Sequence, residues 1–283
     1  MSRFFIPPLC VTLLSLLAVS APARAELVMY TAELIRTMEP ALPTATAVAV
    51  EDGMIVAVGT EDSLQPLVDA RNGRIDRQFS QDILLPGFID PHVHPALPAV
   101  LTQFPFLAPD DWSLPTGEFP GEITPAGYRA RLTELAAQHA DNAVPFITWG
   151  YHPLWHGEIW RDDLNEMFGE QPVMLWHRSF HEMIGNDAAW DSLGVTEADA
   201  QREEGANWSR GHFYENGLKA VVPKLGFVFA PERFGAGMFN FLAMLHQAGV
   251  TTALDMGTGI YGNPTGEIAG VRAAAYAYPV PVR

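Results

Sequence analysis

The sequence predicts an α/β fold, in which helices cover a parallel sheet and a small β-structured segment precedes it. Two observations support this prediction. From Pro86 onwards, short apolar runs alternate with helical patterns, and strands that alternate with helices are typical of parallel sheets. Before Pro86, two β-rich runs flank a turn, which is typical of antiparallel strands.

The segment 26–85 is predicted to be a small β domain. Residues 46–50 and 54–58 are β-rich, and Gly53 between them tolerates the positive φ of a tight turn, so the pair predicts a hairpin. The apolar run at 83–90 predicts a buried strand that leads into a second domain, residues 86–283.

The second domain is predicted to alternate between helices and strands. Helices are expected at 125–140, 161–168, 233–247 and 271–277, and strands at 146–149, 173–176, 250–254 and 280–282. The Pro- and Gly-rich segment 105–125 is too long for a simple connector, so it is interpreted as a lid or binding loop.

Residues 1–25 are predicted to be a secretory signal peptide. Arg3 precedes an apolar run at 9–19, and Ala23 and Ala25 provide the small residues needed for cleavage after Ala25. An uncleaved anchor is the alternative, but the run is shorter than the roughly 20 residues that span a bilayer. The sequence therefore predicts a periplasmic or secreted protein that does not associate with the membrane after cleavage.

Composition excludes several classes of partner and site. The chain of 283 residues has 17 basic and 33 acidic residues, so its net charge of −16 argues against nucleic acids and anionic membranes as partners. The single cysteine, Cys10, lies in the predicted signal peptide and excludes a disulfide framework or a cysteine zinc site. Any metal must be held by His, Asp, Glu or a modified Lys.

Two histidines at the end of an apolar strand indicate a metal site. His92 and His94 are two residues apart, so in a strand both side chains point to the same side. Two such imidazoles are able to grip one zinc-like ion through nitrogen at about 2.0–2.1 Å. The alternative is a pair of loop histidines that bind nothing.

The segment around these histidines reads Leu85-Pro-Gly-Phe-Ile-Asp-Pro-His-Val-His-Pro95 and resembles the first barrel strand of the amidohydrolase superfamily. Four later motifs resemble amidohydrolase family 3, a branch that includes N-substituted formamide deformylases. These motifs lie at 150–155, at 177–181 with Asn186, at 211–216 and at 249–255.

The resemblance implies a (β/α)8 TIM-type barrel after a small β-sandwich, with the active site at the carboxyl ends of the strands. It implies a divalent metal, with zinc as the expected ion, held by His92 and His94 and by further residues from later strands. The implied activity is hydrolysis of amide or formamide C–N bonds in a small-molecule substrate by a metal-activated water.

Other candidate residues follow the predicted strands. Glu215 is a candidate metal bridge, substrate contact or loop carboxylate, and Lys219 and Lys224 are weaker bridge candidates. The candidate substrate contacts, which could instead serve packing or capping, are His152, Trp155, His181, Asn186 and Asp255, with His156 and His177 as weaker ones. His139 and His246 are expected to be surface or packing residues.

The predicted barrel is incomplete. The apolar runs supply only four to five of its eight strands, and residues 256–283 contain no His, so the expected catalytic Asp would lie beyond the C-terminus. We therefore expect the chain to be the N-terminal part of a longer hydrolase and inactive alone. The alternatives are a non-catalytic periplasmic binding module on the same fold, or a deaminase or cyclic-amide hydrolase of another branch.

Overall fold

The structure is a computed structural model that describes residues 26–139, 143–259, 261–280 and 282–283. It divides into two compact units, one ending at Pro86 and one running from Gly87 to Arg283. The predicted signal peptide, residues 1–25, lies outside the described residues. Within the described ranges, every helix is too short or too polar to cross a membrane.

The first unit is one five-stranded sheet with a helix packed on it. Its strands are β1 (Val28–Arg36), β2 (Thr44–Glu51), β3 (Met54–Gly59), β4 (Arg74–Asp76) and β5 (Ile83–Leu84), and its helix is α1 (Glu61–Arg71). The strand order is β3-β2-β1-β4, with β5 also beside β1. The predicted hairpin is confirmed, because β2 and β3 are antiparallel and both turn residues, Asp52 and Gly53, have positive φ.

Helix α1 stands where the sequence predicted only β-structure, and the described residues of this unit form one sheet with a helix on it. Thr60 and Ser63 form a capping box that starts the helix, and Leu64 and Val68 bury its inner face against the sheet. Pro66, in the second turn of α1, weakened the helical pattern in the sequence.

The second unit contains nine strands and eight helices within the described residues. They are β6 (Phe88–Val93), α2 (Ala96–Leu101), β7 (Trp112–Leu114), β8 (Gly117–Phe119), α3 (Pro125–Ala137), β9 (Phe146–Tyr151), α4 (Pro153–His156), α5 (Arg161–Phe168), β10 (Val173–His177), β11 (Glu182–Gly185), α6 (Asp187–Leu193), α7 (Glu197–Ala200), β12 (Ala206–Asn207), β13 (His212–Tyr214), α8 (Pro231–Gln247), β14 (Val250–Asp255) and α9 (Pro264–Ala277). The α/β class and the elements predicted at 146–149, 161–168, 173–176, 233–247 and 250–254 are confirmed.

The grouping of these strands differs from the prediction. Strands β9 and β10 are parallel, but they belong to a mixed sheet of order β12-β13-β11-β10-β9. Strands β6 and β14 form a separate parallel pair. The described residues therefore form no closed barrel, and the four predicted strands, present as β6, β9, β10 and β14, are divided between two sheets. An apolar run indicates burial but not the neighbouring strand.

A third strand-like segment lies beside β14. The Arg283 N–H donates to the Thr251 carbonyl at 3.0 Å, and the Ala253 N–H donates to the Arg283 carbonyl at 2.7 Å. Bonds that bracket Thr252 in this way are the pattern of a parallel strand. The strand predicted at 280–282 thus has partial support from residue 283, while residue 281 lies outside the described residues.

The apolar strand predicted to be buried is largely exposed. Phe88 and Ile89 of β6 are 53% and 71% exposed, and Leu254 of β14 is 56% exposed. Consecutive strand residues point to opposite faces, and a parallel sheet is normally covered on both, so this pair lacks much of its usual cover among the described residues. Helix α8 contacts β14 and also α2, where Gly237 of α8 allows close approach to the Ala99 carbonyl.

The predicted loop 105–125 is partly ordered secondary structure. It contains the hairpin β7–β8, and Phe106 forms a parallel bridge to Trp149 at the edge of β9. Phe106 also packs against the rings of Trp112 and Trp149. This segment is therefore fixed against the mixed sheet.

Candidate metal centre

The two strand histidines converge at the carboxyl end of β6. His92 Nε2 and His94 Nε2 are 3.3 Å apart, and the two rings are nearly perpendicular at 85°. The Asp90 carboxylate accepts a 3.0 Å hydrogen bond from the His92 N–H, which orients this end of the strand. His92 is exposed and His94 is half-buried.

The spacing of the two nitrogens fits two corners of a tetrahedral metal site. Two zinc–nitrogen bonds of about 2.0–2.1 Å at a tetrahedral angle place their nitrogens about 3.3 Å apart. His94 Nδ1 is buried without a hydrogen-bond partner among the described residues. A metal-bound imidazole normally donates from its second nitrogen, so a partner for Nδ1 is still needed.

His92 and His94 alone form an incomplete metal site. Within the described residues, no group of three or more His, Cys, Asp or Glu side chains is arranged to hold an ion. The described part of the chain therefore provides two of the three or four protein ligands that a zinc site requires.

A cavity of about 640 Å³ opens beside His94. Three further titratable side chains that border it are His181, Glu215 and Lys219. Its remaining walls are mostly apolar and include Leu97, Trp176, Phe180, Leu218, Val222 and Tyr261. Its volume lies in the range of small-molecule sites.

His181 and Glu215 form a pair at the edge of this cavity. His181 Nδ1 and Glu215 Oε2 are 3.2 Å apart, and the two side chains are 62% and 65% exposed. Glu215 has a φ of 48°, where it begins a 3₁₀ turn, and its N–H donates to the His181 carbonyl. The structure therefore brings His181 and Glu215 to the same cavity as His94.

His152 and Trp155 lie at α4 and, among the described residues, are not part of this cavity wall. His152 Nδ1 accepts a hydrogen bond from the Leu154 N–H at 3.1 Å and so caps the short helix. Its ring lies 4.8 Å from that of Trp155 and 4.8 Å from that of His177. These contacts match the packing and capping alternative.

His156 is an interior residue. It is fully buried, stacks on Tyr128 at 4.1 Å, and its Nδ1 accepts from the His152 N–H. Its Nε2 therefore carries the proton and donates to the Glu122 carbonyl at 2.9 Å. Burial lowers the pKa of His156, so the ring is held neutral.

Asn186, predicted as a substrate contact, is fully buried. Its Oδ1 accepts from the N–H groups of Val173 and Ala189, and its Nδ2 donates to the Gln171 carbonyl. The amide thus caps α6 and ties it to the start of β10, which leaves it unavailable to a ligand.

Asp255 lies at the same end of the parallel pair as the two histidines, opposite Val93 in the ladder. Its side chain is exposed, and it accepts hydrogen bonds from the Gly257 N–H at 2.9 Å and the Thr258 hydroxyl at 2.7 Å. In this structure Asp255 therefore serves as a turn carboxylate.

Sequence reasoning missed a second histidine–carboxylate cluster. Glu182 Oε2 lies 2.8 Å from His212 Nε2, and Glu182 Oε1 lies 3.8 Å from His177 Nδ1. Burial lowers the pKa of His177, and Glu182 opposes that shift. The antiparallel pairing of β11 with β13 creates this cluster, and the sequence carried no signal for that pairing.

Comparison with known proteins indicates the fold more clearly than the family. No protein family model matches the chain. The chain is 25% identical over 246 residues to the exoenzymes regulatory protein AepA of Pectobacterium carotovorum, an alignment that covers 81% of this chain and 49% of that protein.

Two solved structures share the fold. An uncharacterized metal-dependent hydrolase from Pyrococcus horikoshii has a TM-score of 0.66 at 15% identity, covering 91% of this chain and 47% of that one. A second, from Pyrococcus furiosus, has a TM-score of 0.56 at 14% identity, covering 80% and 43%. The chain thus spans about half the length of each of these relatives.

Proposed function

We propose that the chain is part of a metal-dependent hydrolase that cleaves non-peptide C–N bonds of the amide or formamide type. The observation that supports this most directly is the 3.3 Å separation of His92 Nε2 and His94 Nε2 at the end of β6, beside a cavity of about 640 Å³. Zinc is the proposed ion, because two imidazole nitrogens at this spacing suit its tetrahedral geometry. The fold shared with two metal-dependent hydrolases supports the proposal.

The residues of this chain would have separate roles in metal binding, proton transfer and substrate binding. A divalent ion, when bound, supplies Lewis-acid polarisation of the scissile carbonyl and an activated water. His92 and His94 hold that ion. Glu215, paired with His181, is the carboxylate among the described residues of the cavity wall, and it is the proposed proton acceptor. The apolar walls hold the substrate and exclude water.

We further propose that this chain is the N-terminal part of the hydrolase and has no activity alone. The relatives are about twice as long, and the described residues supply two metal ligands. In this proposal the protein is exported after cleavage at Ala25, acts in the periplasm or outside the cell, and takes a small-molecule substrate.

A non-catalytic module is the second candidate, and two observations favour it. The curated relative is named a regulatory protein, and the described residues form no complete metal site. In such a module, the cavity beside His94 would bind a ligand without turnover.

Metal analysis of the purified chain tests the site. At equilibrium with excess zinc, we expect the wild-type protein to bind more zinc than the His92→Ala/His94→Ala variant, because the two imidazoles supply part of a zinc site. His246→Ala is the matched control, because His246 is an exposed histidine near the end of α8. Equal zinc content in the wild-type and double variant would refute the site.

Hydrolysis of formamides, N-acyl amines and cyclic amides tests the activity. We expect no turnover by the 26–283 chain and metal-dependent turnover by the longer gene product. Turnover by the 26–283 chain would contradict the proposal that it is inactive alone. A loaded longer product that binds these compounds without hydrolysing them would favour the module.

A further inference from the structure

A second, smaller cavity of about 270 Å³ lies between the segment before α8 and the start of α9. Its walls are formed by three aromatic rings and one carboxylate, namely Phe229, Phe234, Tyr261 and Glu267, with Asn263 and Gly266 completing them. We call it the aromatic cavity. Tyr261 also borders the larger cavity beside His94, but the proposed hydrolase chemistry uses none of the other five residues.

The three rings form a continuous aromatic wall. The rings of Phe229 and Tyr261 lie 4.9 Å apart at 62°, and those of Phe229 and Phe234 lie 6.1 Å apart at 36°. The face of an aromatic ring carries negative potential, so several rings around one space favour a cation, and quaternary ammonium groups are commonly bound this way.

The Glu267 carboxylate adds a negative charge to this wall. Glu267 is only 7% exposed, and its two oxygens accept hydrogen bonds from the N–H groups of Gly259 at 2.7 Å and Tyr261 at 3.1 Å. In the described parts of the chain, no Lys, Arg or His forms an ion pair with it. The backbone bonds and the start of α9 stabilise the carboxylate, but its charge is not neutralised.

The Tyr261 hydroxyl belongs to a second polar residue of this wall. It is buried and has no hydrogen-bond partner among the described residues. Burial, with a smaller contribution from Glu267, raises the pKa of Tyr261 well above its usual value, so the hydroxyl stays protonated. A buried polar group without a partner normally has a water or ligand beside it.

We propose that the aromatic cavity binds a small organic ammonium ion, with the cationic group against the three rings and next to the Glu267 carboxylate. A bare metal ion fits less well, because the rings supply no lone pairs and the carboxylate oxygens already accept backbone bonds. This inference does not depend on the proposed hydrolase activity.

The test uses choline and its neutral isostere, 3,3-dimethylbutan-1-ol, which differ in charge but hardly in shape. Binding to the full chain is followed by ligand-observed NMR at constant ionic strength. We expect choline to bind at least roughly tenfold more tightly than the isostere, because desolvated cation–π and ionic contacts are worth at least that factor. Equal binding of both compounds, or binding of neither, would refute the proposal without any variant.

Variants then locate the site. Glu267→Gln should weaken choline binding by removing the ionic contact while leaving part of the preference over the isostere, and Phe229→Leu should weaken it by removing the central ring. Glu170→Gln is the control, since Glu170 is an exposed carboxylate in the turn after α5. Choline binding that survives both Glu267→Gln and Phe229→Leu would overturn the assignment. Both variants should bind zinc as the wild-type protein does, so the choline test is independent of the test of the metal site.

Discussion

Replacement of Asn186 tests whether this residue serves the fold or a substrate. Its amide makes three main-chain hydrogen bonds of 2.7–3.0 Å, to Val173, Ala189 and Gln171, and the side chain is fully buried. In Asn186→Ala, the Val173 N–H and the Gln171 carbonyl lose this partner in the interior, and α6 loses its N-cap.

The expected loss follows from these contacts. Losing an N-cap costs about 1 kcal/mol. Each buried main-chain group left unsatisfied costs about 1–3 kcal/mol. We therefore expect Asn186→Ala to lower the free energy of unfolding by about 3–7 kcal/mol, a large share of the roughly 5–15 kcal/mol of a typical domain.

Urea denaturation followed by tryptophan fluorescence measures this loss. Asn207→Ala is the control, because Asn207 caps a 3₁₀ turn at an exposed position with one backbone bond, to the Arg210 N–H. We expect its loss to be about 1 kcal/mol or less. If Asn186→Ala and Asn207→Ala lower the midpoint equally, the structural role assigned to Asn186 is incorrect.

Two further predictions concern packing and pH. Gly237→Ala should destabilise the protein by about 1–3 kcal/mol, because its methyl group would overlap the Ala99 carbonyl, whereas Gly235→Ala in the same helix meets nothing within 4 Å and should be neutral or stabilising. Thermal unfolding of both variants checks this, and equal shifts would contradict it. Burial lowers the pKa of His156 in the folded state, so the unfolded chain binds the extra proton and stability falls as the pH drops below about 6.5. His156→Gln should make this decline shallower, and an unchanged slope in urea titrations at several pH values would argue against a neutral buried His156.

The local elements were predictable because their signals lie within a few residues. The β2–β3 hairpin followed from two β-rich runs around Gly53, and α5 from its helical pattern. The convergence of His92 and His94 followed from the two-residue period of a strand. Each of these features depends on chain geometry alone.

Features that depend on distant pairing were not predictable. Nothing in the run 173–177 indicates that β10 turns back through Phe180, at a φ of 70°, into the antiparallel β11. That reversal separates β9 and β10 from β6 and β14, and it also brings Glu182 to His212. The burial of Asn186 likewise depends on which main-chain groups surround it. The sequence around a polar residue does not indicate those groups.

The pairing of β6 with β14 has a consequence for the order in which the chain folds. Val250 lies beside Phe88 although about 160 residues separate them, whereas β10, β11 and β13 pair with near neighbours in sequence. The mixed sheet is therefore able to form during synthesis, whereas β6 has no strand partner until α8 and β14 have emerged. His92 lies at the end of β6 and His94 directly follows it. The proposed metal site is therefore assembled late, after much of the surrounding fold has formed.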